Sequence, residues 1–228
     1  MVFLLGHYRR LNGVRMRLIS YQRHGKRILD IVVSVFALIA LAPVMFVIAL
    51  LVRTKLGTPI LFCQLRPGIN GKPFTLYKFR TMTDARDVQG NLLSDTERLT
   101  RLGMILRKSS LDELPELFNV LLGQLSIVGP RPLLMRYTPY FTEQESVRFT
   151  VRPGITGLAQ VSGRNDLTWD SRIALDVKYV ADCTLRLDLK IILMTLGRVL
   201  SRHGVQVDPG AVMLDFDEER RRRLEQRL

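Results

Sequence analysis

The chain has 228 residues, which is enough for one domain with a sizeable core and some appendages but too few for several domains. Its formal charge of +13 at pH 7 calls for a polyanionic partner: nucleic acid, an anionic membrane surface or a phosphorylated substrate. The two cysteines, Cys63 and Cys183, form no CxxC or Cys/His cluster, so neither a zinc site nor a disulfide framework is expected. This cysteine usage fits a reducing, cytosolic setting.

An uncharged apolar run near the N-terminus predicts a membrane segment. It extends from Ile31 to Val52, and at about 1.5 Å per residue these roughly 22 positions could cross a hydrocarbon core of about 30 Å. Pro43 lies in the middle, where it removes a backbone hydrogen bond and bends a helix. Basic residues flank both ends, and the positive-inside tendency therefore places both ends in the cytoplasm. We predict a re-entrant helix over residues 28–55 broken at Pro43, with a kinked span as the alternative.

The rest of the chain is predicted to form a cytoplasmic domain with surface segments at its ends. Residues 1–27 carry leucines among arginines, which is typical of an amphipathic helix on a membrane surface. Residues 56–204 are expected to form the catalytic domain, and residues 205–228 a charged tail. Leu185 to Leu200 carries an apolar face, which either packs in the core or lies in the membrane interface.

Two short strands are predicted on either side of a turn rich in Gly, Pro and Asn. They cover residues 60–63 and 74–82. Side chains alternate along a strand, so Lys78 and Arg80 would project from the same face. Exposed cations on strands are commonly only solvated edges, and this alternative stays open.

The stretch Ser109–Asn119 holds adjacent carboxylates and a proline at a predicted helix start. Ser110 as the N-cap and Glu113 three residues later would form a capping box, which is a purely structural role. Pro115 favours helix entry nearer Asp112, because proline fits best in the first turn. Asp112 would then lie at the positive helix end, ionised and able to act as a nucleophile or metal ligand. The local pattern alone leaves both roles open.

Two proline-containing segments present further arginines. Pro130 and Pro132 hold Arg131 in a stiff extended backbone, so its guanidinium would lose little entropy on clamping a phosphate. A solvated arginine in a proline turn is the alternative. Arg152 belongs to a Gly-rich segment whose backbone N–H groups could line an anion site. That segment is neither GxGxxG nor a P-loop, so it predicts no nucleotide-binding fold.

Together these features predict a membrane-seated basic domain with one acidic pair and several rigidly held cations. This combination of an acidic pair and rigidly held cations suits a substrate with two phosphates beside the bilayer. Cations would offset the phosphate charge, Mg²⁺ bound through a carboxylate would bridge the phosphates, and another carboxylate would serve as nucleophile or base.

Four motifs in this order resemble those of the bacterial sugar transferase family, the monotopic phosphoglycosyl transferases. They are Lys78–Met82, Asp112–Val120, Val128–Pro132 and Arg152–Gly157. The similarity runs from about Lys26 to about Gly204. It is most evident with short members that start protein glycosylation by loading an acetylated aminosugar phosphate onto a polyprenyl carrier.

The resemblance implies a reaction in which a nucleotide-diphosphate sugar and polyprenyl phosphate give polyprenyl-diphosphate sugar and a nucleoside monophosphate. A UDP-linked, acetylated aminosugar and release of UMP are expected. The resemblance also implies a Mg²⁺ requirement and a covalent phosphosugar intermediate on Asp112, which would contact the Mg²⁺ as well, with Glu113 as its partner. The candidates for binding the phosphates are Lys78, Arg80, Arg107, Arg131 and Arg152.

The resemblance further implies a fold and a location. The fold is α+β and mainly helical: a monotopic membrane protein with a re-entrant helix-break-helix, amphipathic interfacial helices and a small antiparallel sheet. The location is the cytoplasmic face of the bacterial inner membrane. The family often marks the helix break with Ser-Pro, whereas this chain has Ala42-Pro43, so here the break would depend on Pro43 and on packing.

Two other functions remain as rivals. A membrane-anchored basic module could bind anionic lipid or nucleic acid without catalysis, but it would leave the acidic pair unused. The chain has one tryptophan, Trp169, and lacks the interleaved aromatics of a stacking platform, so no nucleic acid partner is expected. The second rival is a transferase that moves the sugar alone and releases a nucleoside diphosphate.

Overall fold

The computed structural model describes residues 21, 25–163, 167–201 and 214–226. Most of the predicted N-terminal surface helix and residues 205–213 of the tail lie outside the described residues. The helices are α1 (Lys26–Lys55), α2 (Asp95–Arg98), α3 (Arg101–Ser109), α4 (Glu116–Leu121), α5 (Leu158–Ser162), α6 (Trp169–Asp182), α7 (Leu185–Ser201) and α8 (Phe216–Glu225). The strands are β1 (Leu61–Pro67), β2 (Pro73–Phe79), β3 (Ser126–Val128) and β4 (Gly154–Thr156). The predicted mainly helical α+β fold with a small antiparallel sheet is confirmed.

Helix α1 contains the predicted membrane segment. It is 30 residues long, and its most apolar stretch has a mean hydropathy of 3.0 with only 11% of the residues buried. By length and composition it could cross a membrane. The helix is continuous through Pro43, so no break is seen at the predicted position. The re-entrant path therefore stays a prediction.

Both ends of α1 pack against the same domain. Near its start, Arg27 donates to the backbone carbonyls of Val120 and Leu121 at the end of α4, over 2.6 and 2.8 Å. Near its end, Ile48 and Val52 are buried in a cluster with residues of β2 and α3. The exposed apolar side chains of α1 lie between and around these two contacts.

The predicted hairpin is present as β1 and β2, which pair antiparallel from Leu61 opposite Phe79 to Pro67 opposite Pro73. The tight turn needs left-handed backbone, which Asn70 and Gly71 supply with φ of 56° and 72°. Strand β2 was expected to reach residue 82 but ends at Phe79.

The main core lies between the hairpin, α4, the short parallel β3–β4 pair, α6 and α7. Its fully buried members include Val120, Leu125, Tyr179 and Ile191. The β3–β4 pair was not predicted, and it explains two motif glycines. A Cβ on Gly154 would lie 2.1 Å from the backbone nitrogen of Gly129, so the two segments approach each other as only glycine permits.

For the apolar face of α7, core packing is confirmed at one residue, and the membrane-interface alternative stays a prediction. Ile191 is buried in the core, whereas Leu189 and Leu193 on the other side are 46% and 68% exposed. The charged tail also packs on the domain: Phe216 of α8 is fully buried against the rings of Tyr137 and Trp169.

Candidate active site

A cavity of about 1040 Å³ lies between the hairpin, α3, the turn after α3, and α6. Its wall combines apolar residues of β1 with cations and with the acidic pair predicted from the sequence. The charged residues that line it include Arg66, Lys78, Arg80, Arg98, Arg107, Arg131, Arg172, Asp84, Asp95, Asp112, Glu113 and Asp176. The predicted acidic pair and four of the five predicted phosphate-binding cations therefore share one cavity.

The local structure around Asp112 differs from the predicted helix start. Ser110 ends α3 with a φ of 55°, and its side chain makes no capping hydrogen bond, so the predicted capping box with Glu113 is wrong. Leu111–Glu113 form one 3-10 turn, and α4 begins only at Glu116, directly after Pro115. The left-handed residue turns the chain sharply and directs this short acidic turn to the cavity wall.

Asp112 is only 8% exposed. Burial and the nearby charge of Glu113 raise the pKa of Asp112, while Lys78 and Arg107 oppose the rise. Asp112 lies in the 3-10 turn before α4, and a backbone N–H group also lowers its pKa, but less than burial raises it. That the carboxylate is ionised stays a prediction, with Lys78, Arg107 and this backbone group favouring the ionised form.

Glu113 forms ion pairs with two cations. Its Oε1 accepts a hydrogen bond from Nζ of Lys78 at 2.6 Å and one from Nη2 of Arg131 at 2.9 Å. Burial would raise the pKa of Glu113, but Arg131 and Lys78 outweigh it and lower this pKa to about 2. Glu113 is thus ionised at neutral pH and holds both cations beside Asp112.

Glu116 is a further buried carboxylate, which the sequence reasoning missed. It is 3% exposed, and its Oε1 lies 3.2 Å from Nζ of Lys78. Burial and the charge of Glu113 raise the pKa of Glu116 to about 7, against the lowering effect of Lys78. The spacing of Glu113 and Glu116, three residues apart, was the available sequence signal.

Arg131 is held in place by a buried ion pair that the sequence reasoning also missed. Nη2 of Arg148 donates to the carbonyl of Arg131 and to Oδ2 of Asp176, both over 2.7 Å. The side chain of Arg148 is 2% exposed. Its guanidinium therefore links α6 to the backbone of Arg131, whose own side chain is 44% exposed to the cavity.

The other predicted cations have different roles. Nε of Arg107 donates to Oγ1 of Thr81 at the cavity wall. Arg80 is 8% exposed and donates to the carbonyls of Leu56, Thr58 and Met82, so its guanidinium holds the end of α1 to the hairpin. Its predicted phosphate role finds no support in these contacts.

Arg152 is not part of the cavity wall. Its Nε donates to the carbonyl of Gly123 over 2.8 Å, at the turn after α4. The structure therefore does not place Arg152 with the other predicted phosphate-binding cations, and its phosphate role is unsupported by this geometry. The Gly-rich segment that contains Arg152 supplies the close β3–β4 contact.

Asn119 connects the acidic segment to the hairpin. It is fully buried, its Nδ2 donates to the carbonyl of Thr75, and its Oδ1 accepts from the backbone N–H of Tyr77. An amide matches both a donor and an acceptor on the edge of β2. This contact fixes α4, and with it the turn that carries Asp112, relative to Lys78.

The donor set around Asp112 is compatible with Mg²⁺. Among the described residues, no group of three His, Cys, Asp or Glu side chains is arranged to hold a metal. Mg²⁺ commonly keeps several waters and binds one or two carboxylates together with substrate phosphates. Within the described part of the chain Asp112 has no ion-pair partner, so its carboxylate at the cavity wall could hold Mg²⁺ with a bound diphosphate.

Comparison with known proteins shows the family to which this chain is related. Residues 21–202 match the family described as Bacterial sugar transferase. A Bacillus subtilis protein named as the uncharacterized sugar transferase EpsL is 52% identical over 181 residues, which are 79% of this chain and 90% of that protein. The UDP-glucose:undecaprenyl-phosphate glucose-1-phosphate transferase of Klebsiella pneumoniae is 40% identical over 198 residues. That match covers 82% of this chain but 41% of the relative.

The site is a buried acidic turn in a cation-lined cavity, next to a helix that could cross a membrane by length and composition. The chain belongs to the bacterial sugar transferase family and is an enzyme of the transferase class. The predicted family is thereby confirmed.

Proposed function

We propose that this chain transfers a sugar 1-phosphate from a UDP-linked sugar to a polyprenyl phosphate and releases UMP. The names of relatives from Klebsiella pneumoniae and Salmonella typhimurium, which describe undecaprenyl-phosphate glucose and galactose phosphotransferases, support this chemistry. The observation that carries the proposal is the buried carboxylate of Asp112, beside an ionised Glu113 that holds Lys78 and Arg131 in one cavity.

The proposed reaction has two displacements at one phosphorus atom. A carboxylate oxygen of Asp112 bonds to the phosphorus that carries the sugar, the bond from this phosphorus to the UMP oxygen breaks, and UMP leaves with the electron pair. A phosphate oxygen of the polyprenyl acceptor then attacks the same phosphorus, and the carboxylate of Asp112 leaves. Atoms and charge balance without an additional reactant.

The cations of the cavity are suited to a diphosphate. A carboxylate is a weak nucleophile and repels phosphate, so the charge of the substrate has to be offset before attack. Lys78, Arg107 and Arg131 line the cavity that contains Asp112. Among the described contacts Arg131 uses only Nη2 for Glu113, so its other donors can face a phosphate in a preorganised geometry.

Asp112 is the residue proposed to hold Mg²⁺. When bound, the ion would offset the negative charge of the substrate phosphates. Glu113 is proposed to position Lys78 and Arg131 rather than to bind the metal, since its Oε1 is already shared by these two cations.

The sugar is proposed to arrive as a UDP conjugate. Glucose and galactose are the sugars in the names of the relatives, so they are the first candidates. The acetylated aminosugar expected from the motifs is a third candidate, and one panel of UDP-sugars separates the three.

The re-entrant topology is part of this proposal. A straight helix of 30 residues would be about 45 Å long and would separate its ends across a core of about 30 Å. Arg27 near the start and Val52 near the end nevertheless both contact the one globular domain. This supports a helix that returns to the cytoplasmic face of the bacterial inner membrane.

The test uses the purified full chain with UDP-sugars, undecaprenyl phosphate and Mg²⁺. We expect UMP release, and we expect labelled sugar phosphate trapped on the protein before the acceptor is added. Asp112→Asn should abolish both, and Glu113→Gln should lower UMP release strongly. Glu225→Gln on the exposed face of α8 is the matched control and should behave like the wild type.

Three results would contradict the proposal. Near wild-type turnover by Asp112→Asn would exclude the covalent route through this carboxylate. Release of UDP in place of UMP would favour the rival that transfers the sugar alone. Binding of anionic vesicles with no nucleotide release from any UDP-sugar would favour the rival binding module.

A further inference from the structure

Strand β1 carries an exposed apolar strip. Leu61 and Phe62 are 37% and 48% exposed, and Cys63 is exposed as well. In its partner strand, by contrast, Phe79 is buried. Among the described strands β1 pairs with β2 alone, so its other edge has no strand partner there. We define Leu61, Phe62 and Cys63 as the hairpin strip.

The hairpin strip is part of the wall of the cavity that contains Asp112. Its three residues line this cavity together with Asp112 and Glu113. One region of the wall is therefore apolar and open to solvent, and another is ionic and half-buried. A wall of this kind suits a ligand with an anionic head and an apolar tail.

The strand register places the apolar and ionic parts side by side. Phe62 lies opposite Lys78, whose Nζ contacts Glu113 at 2.6 Å. Leu61 lies opposite Phe79, which packs with the end of α1. Directly paired side chains on antiparallel strands share a face with Cβ atoms about 4.5–5.5 Å apart. The hairpin strip thus lies between the membrane helix and the ionic centre.

We propose that the hairpin strip binds the first isoprene units of the lipid acceptor while its phosphate lies in the cavity. This inference rests on the proposed function, and it adds the place where the acceptor chain is recognised. Side chains alternate along β1, so Phe62 shares a face with Lys78 while Leu61 and Cys63 lie on the other face. A prenyl chain would contact all three by lying along the edge of β1 that has no partner among the described strands. A second copy of the chain would need about 1,000 Å² of interface, which three side chains do not offer.

The natural cysteine of the strip gives a direct binding test. Cys63 is exposed, whereas Cys183, the other cysteine of the chain, is buried, so a maleimide should react at Cys63. In nanodiscs of phosphatidylethanolamine and phosphatidylglycerol, undecaprenyl phosphate at ten times its Kd should slow labelling about tenfold by simple occupancy. Methyl phosphate has the same head but no isoprene unit, and it should not slow labelling at equal concentration.

A kinetic test uses matched variants on one hairpin. Phe62→Ser should raise KM for undecaprenyl phosphate about tenfold, because an aromatic contact with the chain is lost, and should leave KM for the UDP-sugar unchanged. Ile69→Ser is the control, since Ile69 is also 37% exposed on the hairpin but does not line the cavity.

Several outcomes would overturn the inference. Equal protection of Cys63 by methyl phosphate and undecaprenyl phosphate would assign the strip to head-group effects. Equal protection by nanodiscs that contain neither compound would assign it to bilayer lipid. Protection that depends on protein concentration would assign it to a second copy. Absence of UMP release by the wild type would instead refute the proposed function, while the labelling experiment would still report chain binding.

Discussion

Nη2 of Arg131 donates to Oε1 of Glu113 over 2.9 Å, although the two residues are 18 positions apart in the chain. The same oxygen accepts from Lys78 of β2. One carboxylate oxygen therefore joins the acidic turn, the hairpin and the loop after β3 beside Asp112. Because this oxygen accepts hydrogen bonds from two cations, Glu113 positions Lys78 and Arg131 and does not cap a helix.

The guanidinium of Arg131 should matter through its shape as well as its charge. Arg131→Lys keeps the positive charge but loses the planar fork that can bind Glu113 and a phosphate together. We expect KM for the UDP-sugar to rise about tenfold or more, which corresponds to about 1.4 kcal/mol of binding. The measurement is steady-state UMP release at varied UDP-sugar concentration.

Arg152→Lys is the matched control for Arg131→Lys. Arg152 lies outside the cavity wall and donates to the carbonyl of Gly123. Its substitution should leave KM for the UDP-sugar within about twofold of the wild type. An equal rise of KM in both variants would show that the site geometry described above is not the one that binds the nucleotide.

Glu116 should make folding stability depend on pH. Its pKa is raised from 4.5 to about 7, so between these values the folded protein binds more protons at this group than the unfolded chain. This contribution is fully present below about pH 4.5 and is lost as the pH rises through about 7, with a free energy of up to roughly 3 kcal/mol. The lowered pKa of Glu113 acts in a separate window, where stability falls as the pH drops from 4.5 towards about 2.

Glu116→Gln tests this dependence, because glutamine has no carboxyl proton to lose. The free energy of unfolding in urea, compared between about pH 5 and about pH 8, should fall less in the variant than in the wild type. Glu225→Gln, on an exposed part of α8, should retain the wild-type slope. Parallel curves for the wild type and Glu116→Gln would refute the assignment.

Gly103 should not tolerate a side chain. A Cβ at this position in α3 would lie 1.9 Å from the carbonyl oxygen of Thr81, and Thr81 also accepts from Arg107. Gly103→Ala should therefore lower the free energy of unfolding by about 1–3 kcal/mol and reduce turnover by displacing Arg107. Gly197→Ala in α7 meets nothing within 4 Å, so it should gain up to about 1 kcal/mol from helix propensity.

The topology of α1 can be measured with single cysteines. Ile28→Cys and Lys55→Cys, each in a chain carrying Cys63→Ser, place a thiol near either end of the helix. An impermeant maleimide should label both in inverted membrane vesicles and neither in intact cells, because both ends contact the one domain. Labelling of the two positions from opposite sides would establish a span.

The sequence by itself determined the local elements and the chemistry of the central motifs. An uncharged run predicts a helix suited to a membrane, and the turn residues around Asn70 predict the β1–β2 hairpin, because both follow from the preferences of neighbouring residues. The sequence also predicted three site residues, Asp112, Lys78 and Arg131, because charged residues in rigid motif segments can be recognised without knowledge of the packing.

Only the tertiary structure decided which of these groups meet. The left-handed backbone of Ser110 depends on how α3 packs and is not implied by the residue type, so the predicted cap failed there. The contacts of Arg148 with Asp176, and of Gly129 with Gly154, join residues more than twenty positions apart, and local pattern carries no information on such pairs. Arg152 and Arg131 have similar sequence surroundings, yet only Arg131 lines the cavity, because the β3–β4 contact directs their two segments differently.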